Sequence, residues 1–270
     1  MLPILEMVID MKKLVLADAA YERIKIQEDC DFEIVVEKKA AAQLYIEIQN
    51  KVHVSIKITV SDTSKLSCLV WNESEQVEIK LHADVKQDAT LRFALGELSG
   101  AQLKGDFHMN LVAQGASVEW RSGSAISNDQ HYDIICEHQV PHTHSIMENY
   151  AVVYENGNYH MTDTGIIVKG AYGSESHQTS RALILSENMK CQIEPVLLID
   201  ENDVKASHAM TMGQIDENQL YYLQTRGLTE KAAFGLITIG YFMPLASFLD
   251  DSVLEAQLIN KIEQKVGLTS

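Results

Sequence analysis

Four of the chain's ten histidines, His131, His138, His142 and His144, fall within 14 residues, with Glu137 among them. Imidazole nitrogen is a ligand for zinc and other first-row ions. Residues two apart on a strand point the same way, so His142 and His144 have the spacing of a ligand pair, with His138 a third candidate. The same alternation also describes the polar face of an ordinary strand, and no further ligand follows at a definite spacing. His208 stands apart, in Lys205-Ala206-Ser207-His208-Ala209, after the acidic turn Asp200-Glu201-Asn202-Asp203. Loops beside strands often carry function, but a surface histidine is the simpler reading. Tyr221, Tyr222 and Leu223 form an aromatic run that could anchor a partner or fasten a helix to the rest of the protein.

Other chemistry is absent from the sequence. No GxxxxGK[ST] phosphate loop, GxGxxG fingerprint, GxSxG elbow or HExxH helix occurs. The cysteines, Cys30, Cys68, Cys136 and Cys191, form no CxxC pair, which excludes a zinc ribbon and a thioredoxin-like site. The chain has 270 residues, 22 basic against 38 acidic, for a net charge of −16. Such a field repels phosphate backbones and argues against nucleic-acid or anionic-membrane binding. The N-terminal apolar stretch is broken by Glu6 and Asp10, and Lys12 and Lys13 follow it, the reverse of a signal peptide. The uncharged run Ala232–Leu249 contains Pro244 and two glycines, which suits a buried helix and a turn better than a membrane span. The expected location is the cytoplasm.

The elements that must position these residues are mostly strands. From Phe32 to Phe93 apolar residues alternate with polar ones. Val52, Val54, Ile56, Ile58 and Val60 share one face, and Val77, Ile79, Leu81, Ala83 and Val85 repeat the pattern. Beyond residue 100 the alternation weakens, and only short runs such as Val152-Val153-Tyr154, Ile166-Ile167-Val168 and Leu183-Ile184-Leu185 read as strands. Periodicity leaves a sandwich, a barrel and a β-helix open, because no strict repeat is visible. After Gly213 the pattern turns helical. Asp216 with Gln219 starts a first helix that stops at Gly227. Thr229 caps a second, from Glu230 to about Phe242, expected to end before Pro244. Ser252 with Glu255 opens a third, running to about Val266. The expected organisation is a β core over 1–213 and a helical unit over 214–270, either an interaction surface or a cap on an open sheet end.

Five ordered stretches carry a resemblance. Gln178-Thr179-Ser180-Arg181-Ala182-Leu183-Ile184-Leu185-Ser186 resembles QTxRxLLLS, and Glu194-Pro195-Val196-Leu197-Leu198-Ile199 resembles a P-x-L-x-I strand. The stretch 203–213 is similar to DDVKCSHGATVG, and 216–228 to DEEQLFYLRSRGI. Upstream, His138-Gln139-Val140-Pro141-His142-Thr143-His144-Ser145 resembles H-x-A-P-H-T-x-S. These are motifs of the SufB/SufD family of iron–sulfur cluster assembly proteins; the first 130 residues carry none of them.

The resemblance implies a right-handed parallel β-helix followed by a small helical domain. It implies a non-enzymatic scaffold that pairs through its β-helix with a SufB-type subunit or with itself. The helical domain would dock SufC, an ABC-type ATPase, with Tyr221, Tyr222 and Leu223 as anchors, and a transient iron–sulfur cluster would be built at the subunit interface. Whether a flavin binds the complex is left open. Ser180 stands where SufB carries a cysteine, and Ser207-His208-Ala209 stands for its EHE, so the match is closer to SufD, with His208 the candidate cluster ligand. Ala206 and Ala209 replace the cysteine and glycine usual around that histidine. SufD proteins run well past 400 residues, so a minimal, ancestral-type homodimeric SufB/SufD scaffold is the alternative. A further alternative, from another class, is a carbohydrate-active β-helix enzyme, which needs a carboxylate-lined groove on a long β face.

Overall fold

The structure, a computed structural model, describes residues 13–267. The N-terminal apolar stretch with Glu6 and Asp10 lies outside the described residues.

The alternating strands stack into two parallel sheets of eight. One holds β1 (Lys13–Leu16), β3 (Cys30–Val36), β5 (Val52–Val60), β7 (Gln76–Val85), β9 (Gln102–Leu111), β11 (Asp129–His138), β13 (Asn158–Ile167) and β15 (Lys190–Ile199). The other holds β2 (Tyr21–Ile26), β4 (Ala41–Ile48), β6 (Lys65–Asn72), β8 (Thr90–Glu97), β10 (Ser117–Ile126), β12 (His144–Val153), β14 (Glu175–Ile184) and β16 (Lys205–Gln214). Each strand pairs with the strand two further on, so every coil lays one rung on each sheet. The expected parallel β-helix is the observed fold. The coils lengthen along the axis. The chain regains its register after 20 residues at Lys13↔Glu33, after 25 at Val52↔Val77 and after 31 at His144↔Glu175. A drifting period is why no repeat shows in the sequence.

One corner of the coil is built the same way seven times. Two residues before each even-numbered strand from β2 to β14 the backbone turns left-handed, at Ala19, Lys39, Thr63, Asp88, Gly115, His142 and Gly173. Five of these carry a Cβ that disfavours the conformation, and stacking overrides it. The turns bond to one another down the stack, Thr63 N to Gln87 O at 2.7 Å and His142 N to Tyr172 O at 2.9 Å among them.

The interior changes character along the axis. The first coils are filled by Ile34, Ile58, Val60, Leu91, Phe93 and their like. The last coils bury Ser145, Asn149, Asp163, Ser176, Gln178 and Ser180 instead. These inward polar residues interrupt the alternation, so strands such as β13 and β14, ten residues each, show only their apolar ends in the sequence.

Three helices follow: α1 (Glu217–Thr225), α2 (Glu230–Ala246) and α3 (Ser252–Lys265). Asp216 and Thr229 cap the first two as expected. Two details differ. Helix α2 runs through Pro244 to Ala246, because Phe242, Leu245 and Ala246 are held against the sheet, and that packing outweighs the one i→i−4 bond the proline forfeits. Helix α3 is capped by Asp251 rather than Ser252, with Asp251 Oδ1 accepting from the Val253 and Leu254 amides at 2.9 and 3.0 Å.

The helices do not cap the β-helix. They lie along the outer face of the even-numbered sheet, where Tyr45, Leu69, Trp71, Ala94, Ala125 and Val152 form an apolar strip under α2 and α3. Leu254, Leu258 and Ile262 recur every fourth residue and meet that strip, each burial stabilising by about 1.5–3 kcal/mol. Gly123 lets α2 approach, since a Cβ there would stand 2.6 Å from Leu245 Cδ1. No helix among the described residues is long and apolar enough to cross a membrane.

Candidate functional site

The last coil is uncovered. Beyond β15 and β16 no further strand pairs among the described residues, so each sheet ends in a row of free backbone donors and acceptors. Ser176, Gln178, Ser180 and Ala182 face the interior, and their register partners are Ala206, His208, Met210 and Met212. On the facing strand Ile193, Pro195, Leu197 and Ile199 continue the interior row. The mouth of the solenoid is therefore apolar and open: Ile199, Met210 and Met212 are exposed, as is Leu198 on the outer face beside them. His208 is exposed in this mouth, on the inward row.

Beneath the mouth the interior is wired by hydrogen bonds. Gln178 Nε2 donates to the Asp163 and Val196 carbonyls at 2.9 and 3.0 Å. Asn149 Nδ2 donates to Asp163 Oδ2 at 2.8 Å, while Asp163 Oδ1 and Gln178 Oε1 accept nothing. Gly165 makes the room, since a Cβ there would stand 2.5 Å from Ser176 Oγ. Burial pushes the Asp163 carboxyl up to about 7, and the Asn149 bond opposes this only in part.

The structure separates the three histidines read as candidate ligands. His138 is fully buried, with Nδ1 and Nε2 each 2.8 Å from a hydroxyl oxygen, those of Thr143 and Ser145. Burial, with His144 nearby, depresses it to about 4, so it is a neutral, fully partnered core residue. His142 is the left-handed residue of its turn, not a strand residue, and its ring meets Tyr172 edge-on. His144 alone faces outward on the sheet, beside Glu175 and His177. Those last two lie one coil away in the sequence, so no local spacing announced them.

Tyr221 and Tyr222 are exposed, and no residue of α1 is fully buried. Fastening is left to α2 and α3. Leu223 and Tyr222 border a shallow apolar groove of about 360 Å³ that ends at Ile237 on α2.

A groove of about 900 Å³ runs along the start of the odd-numbered strands. Its carboxylates, Glu78 and Asp129, stand on β7 and β11 with β9 between them, among Lys51, Lys104 and Lys190. Glu78 is engaged by His53 and Lys80, and Asp129 accepts from Asn158 at 2.7 Å. This is a mixed polar wall and not the acidic cleft that the carbohydrate-active alternative requires.

Fold and site together define a parallel β-helix with an open terminal coil and a helical flank. Residues 26–241 match the SUF system FeS cluster assembly, SufBD core domain family. The chain belongs to that family. It is 30% identical to the iron-sulfur cluster assembly protein SufD of Bacillus subtilis over 184 residues, 67% of this chain and 42% of that protein. It is 29% identical to SufD of Escherichia coli over 100 residues, 37% of this chain and 24% of that protein. A SufBD family protein of Mycobacterium tuberculosis is 22% identical over 228 residues, 80% of this chain and 57% of that protein. The chain spans less than two thirds of the length of each.

Proposed function

We propose that this protein is a SufD-like scaffold subunit of iron–sulfur cluster assembly. In this reading residues 1–213 form the scaffold and 214–270 dock the partner ATPase. The last coil pairs with a SufB-type subunit or, in the minimal form, with a second copy. The observation that carries the proposal is the uncovered coil, in which exposed Met210, Met212 and Ile199 surround His208. Apolar side chains and free strand edges in one place are what a partner chain would cover.

The nascent cluster is the cargo, and the donors here suit a minor share in holding it. His208 offers one imidazole at the mouth. The described thiols are poor candidates for taking up sulfur, because burial pushes Cys30 and Cys191 up to about 11, Cys30 with help from neighbouring acids. Cys68 and Cys136 are buried outright. A thiolate is the natural cluster ligand and sulfur acceptor, so the partner supplies it. A flavin forms no part of the proposal. The four free cysteines suit the reducing cytoplasm.

Two experiments test the proposal. The wild-type chain, mixed with SufB-type and SufC-type proteins of the same organism, should co-purify with both and support cluster formation. His208→Ala should leave co-purification intact and abolish cluster formation; unchanged formation would make His208 a structural residue. Tyr222→Ala should weaken ATPase binding by about tenfold, the usual loss for a truncated aromatic anchor, with an unchanged melting temperature. Intact binding would remove Tyr222 from the dock.

A further inference from the structure

On the outer face of the even-numbered sheet His144 opens β12 and Glu175 opens β14, directly paired in register. His177 follows Glu175 by two residues and stands on the same face. One ligand atom from each of the three lies within 4.8 Å of the others. Glu175 Oε2 is 3.8 Å from His177 Nε2. Ligand atoms around a tetrahedral ion with bonds of about 2.1 Å stand roughly 3.4 Å apart, so a small side-chain adjustment brings them to bonding distance.

The surroundings orient these ligands. His177 Nδ1 is 2.8 Å from Ser207 Oγ. With Nδ1–H donating to that hydroxyl, the Nε2 lone pair faces Glu175, the arrangement that fixes the tautomer of a metal-bound imidazole. Lys205 Nζ donates to Glu175 Oε1 at 2.7 Å and leaves Oε2 turned toward the rings. All three residues are half-buried, so the sheet closes one side and solvent reaches the other.

We propose that His144, Glu175 and His177 bind one divalent first-row transition ion, of the Zn²⁺ or Fe²⁺ class. Two imidazoles and one carboxylate favour such an ion over Mg²⁺ or Ca²⁺, which take oxygen ligands. Three protein ligands leave a fourth position to water or an incoming donor, so the ion is exchangeable and not locked in a closed structural site. Lys205 places a positive charge beside the site and restrains its affinity. The site lies back to back with His208: Ser207 and His177 point outward, and the next residues, His208 and Gln178, point inward. The proposal rests on this geometry alone and stands whether or not the scaffold reading does.

The test uses the full chain, stripped of metal, titrated calorimetrically with Zn²⁺ and spectroscopically with Co²⁺. One equivalent of each should bind, and Co²⁺ should give visible bands of an imidazole-ligated ion of low coordination number. His177→Ala and Glu175→Gln should each weaken binding at least tenfold with melting unchanged, and Ser207→Ala should weaken it about tenfold. Lys205→Gln should tighten it severalfold, a change that a merely structural histidine cluster would not produce. His208→Ala should leave it unaltered. Glu175→Gln keeps the shape of its parent and carries the test if His177→Ala fails to fold. Absence of stoichiometric binding, or binding that survives Glu175→Gln, overturns the site.

Discussion

Asp251→Ala is expected to lower the melting temperature by roughly 10 °C, because one carboxylate performs two tasks that the alanine abandons together. Asp251 Oδ1 caps α3 through two amides, and an alanine at such a cap costs about 0.5–2 kcal/mol. Asp251 Oδ2 accepts from the Tyr21 hydroxyl at 2.6 Å and from the Arg23 guanidinium, and so ties the last helix to the first complete coil. Burial raises the Asp251 carboxyl, but the Tyr21 hydroxyl, the Leu254 amide and the Arg23 guanidinium outweigh it and hold the group well below the usual carboxylate range. Removing it leaves a half-buried arginine without its anion, so with the lost cap the combined loss should be about 2–4 kcal/mol. Asp251→Asn keeps the cap acceptor and loses the charge, and should fall between. A thermal unfolding series over the three proteins decides the matter: a fall of only one or two degrees in Asp251→Ala would mean that α3 is held by its apolar face alone.

The second large effect concerns pH. Asp163 has a folded-state value of about 7 against an ordinary 3.8, caused chiefly by burial. The sign follows from the direction. The folded protein binds this proton more tightly than the unfolded chain, so the associated stability is fully present below about pH 4. It is lost as the pH rises toward 7 and stays lost above. Three units correspond to on the order of 4 kcal/mol. Asp163→Asn cannot ionise and retains an oxygen for Asn149. The stability of the variant minus that of wild type, from denaturant unfolding, should therefore climb by a few kcal/mol between pH 4 and pH 8. The subtraction removes the titration of every other group. A flat or falling difference would show that Asp163 is ionised and solvated in the folded protein.

The first half of the β-helix was legible because apolar residues fill most of its interior: Val52 to Val60 and Val77 to Val85 alternate cleanly, and those faces are the buried ones. Hydrophobic patterning has no means of recognising Asn149, Asp163 or Gln178 as interior residues, because they are held there by hydrogen bonds to one another and to carbonyls. The family motifs, which lie in that half, supplied what periodicity could not. Helix starts were legible where a cap bonds locally, as at Asp216 and Thr229, but the third cap belongs to Asp251, whose fitness depends on Tyr21 and Arg23 some 230 residues away. His208, in the mouth, stood out in the sequence, whereas Glu175 and His177, one coil away from His144, did not. A wall built from coils of changing length scatters neighbours across irregular intervals. The usable signal is the register itself, which pairs His144 with Glu175 once the strands are aligned.

That change of coil length has a consequence for extension of the structure. Solenoids of constant period can be lengthened or shortened by whole units, because any rung mates with any other. Here the rungs widen from four residues at β1 to ten at β9 and keep that width through β16, so the early coils are gauged to their neighbours while the later ones share one width. A coil duplicated or deleted among the first few would leave strands of unequal length side by side. A chain that continues both sheets past the mouth must present a pair of rungs about ten residues wide, set at the same spacing between sheets. The width of the last coil thus acts as a size standard at the mouth: it admits a second broad coil and rejects narrow edges, before any side chain is compared.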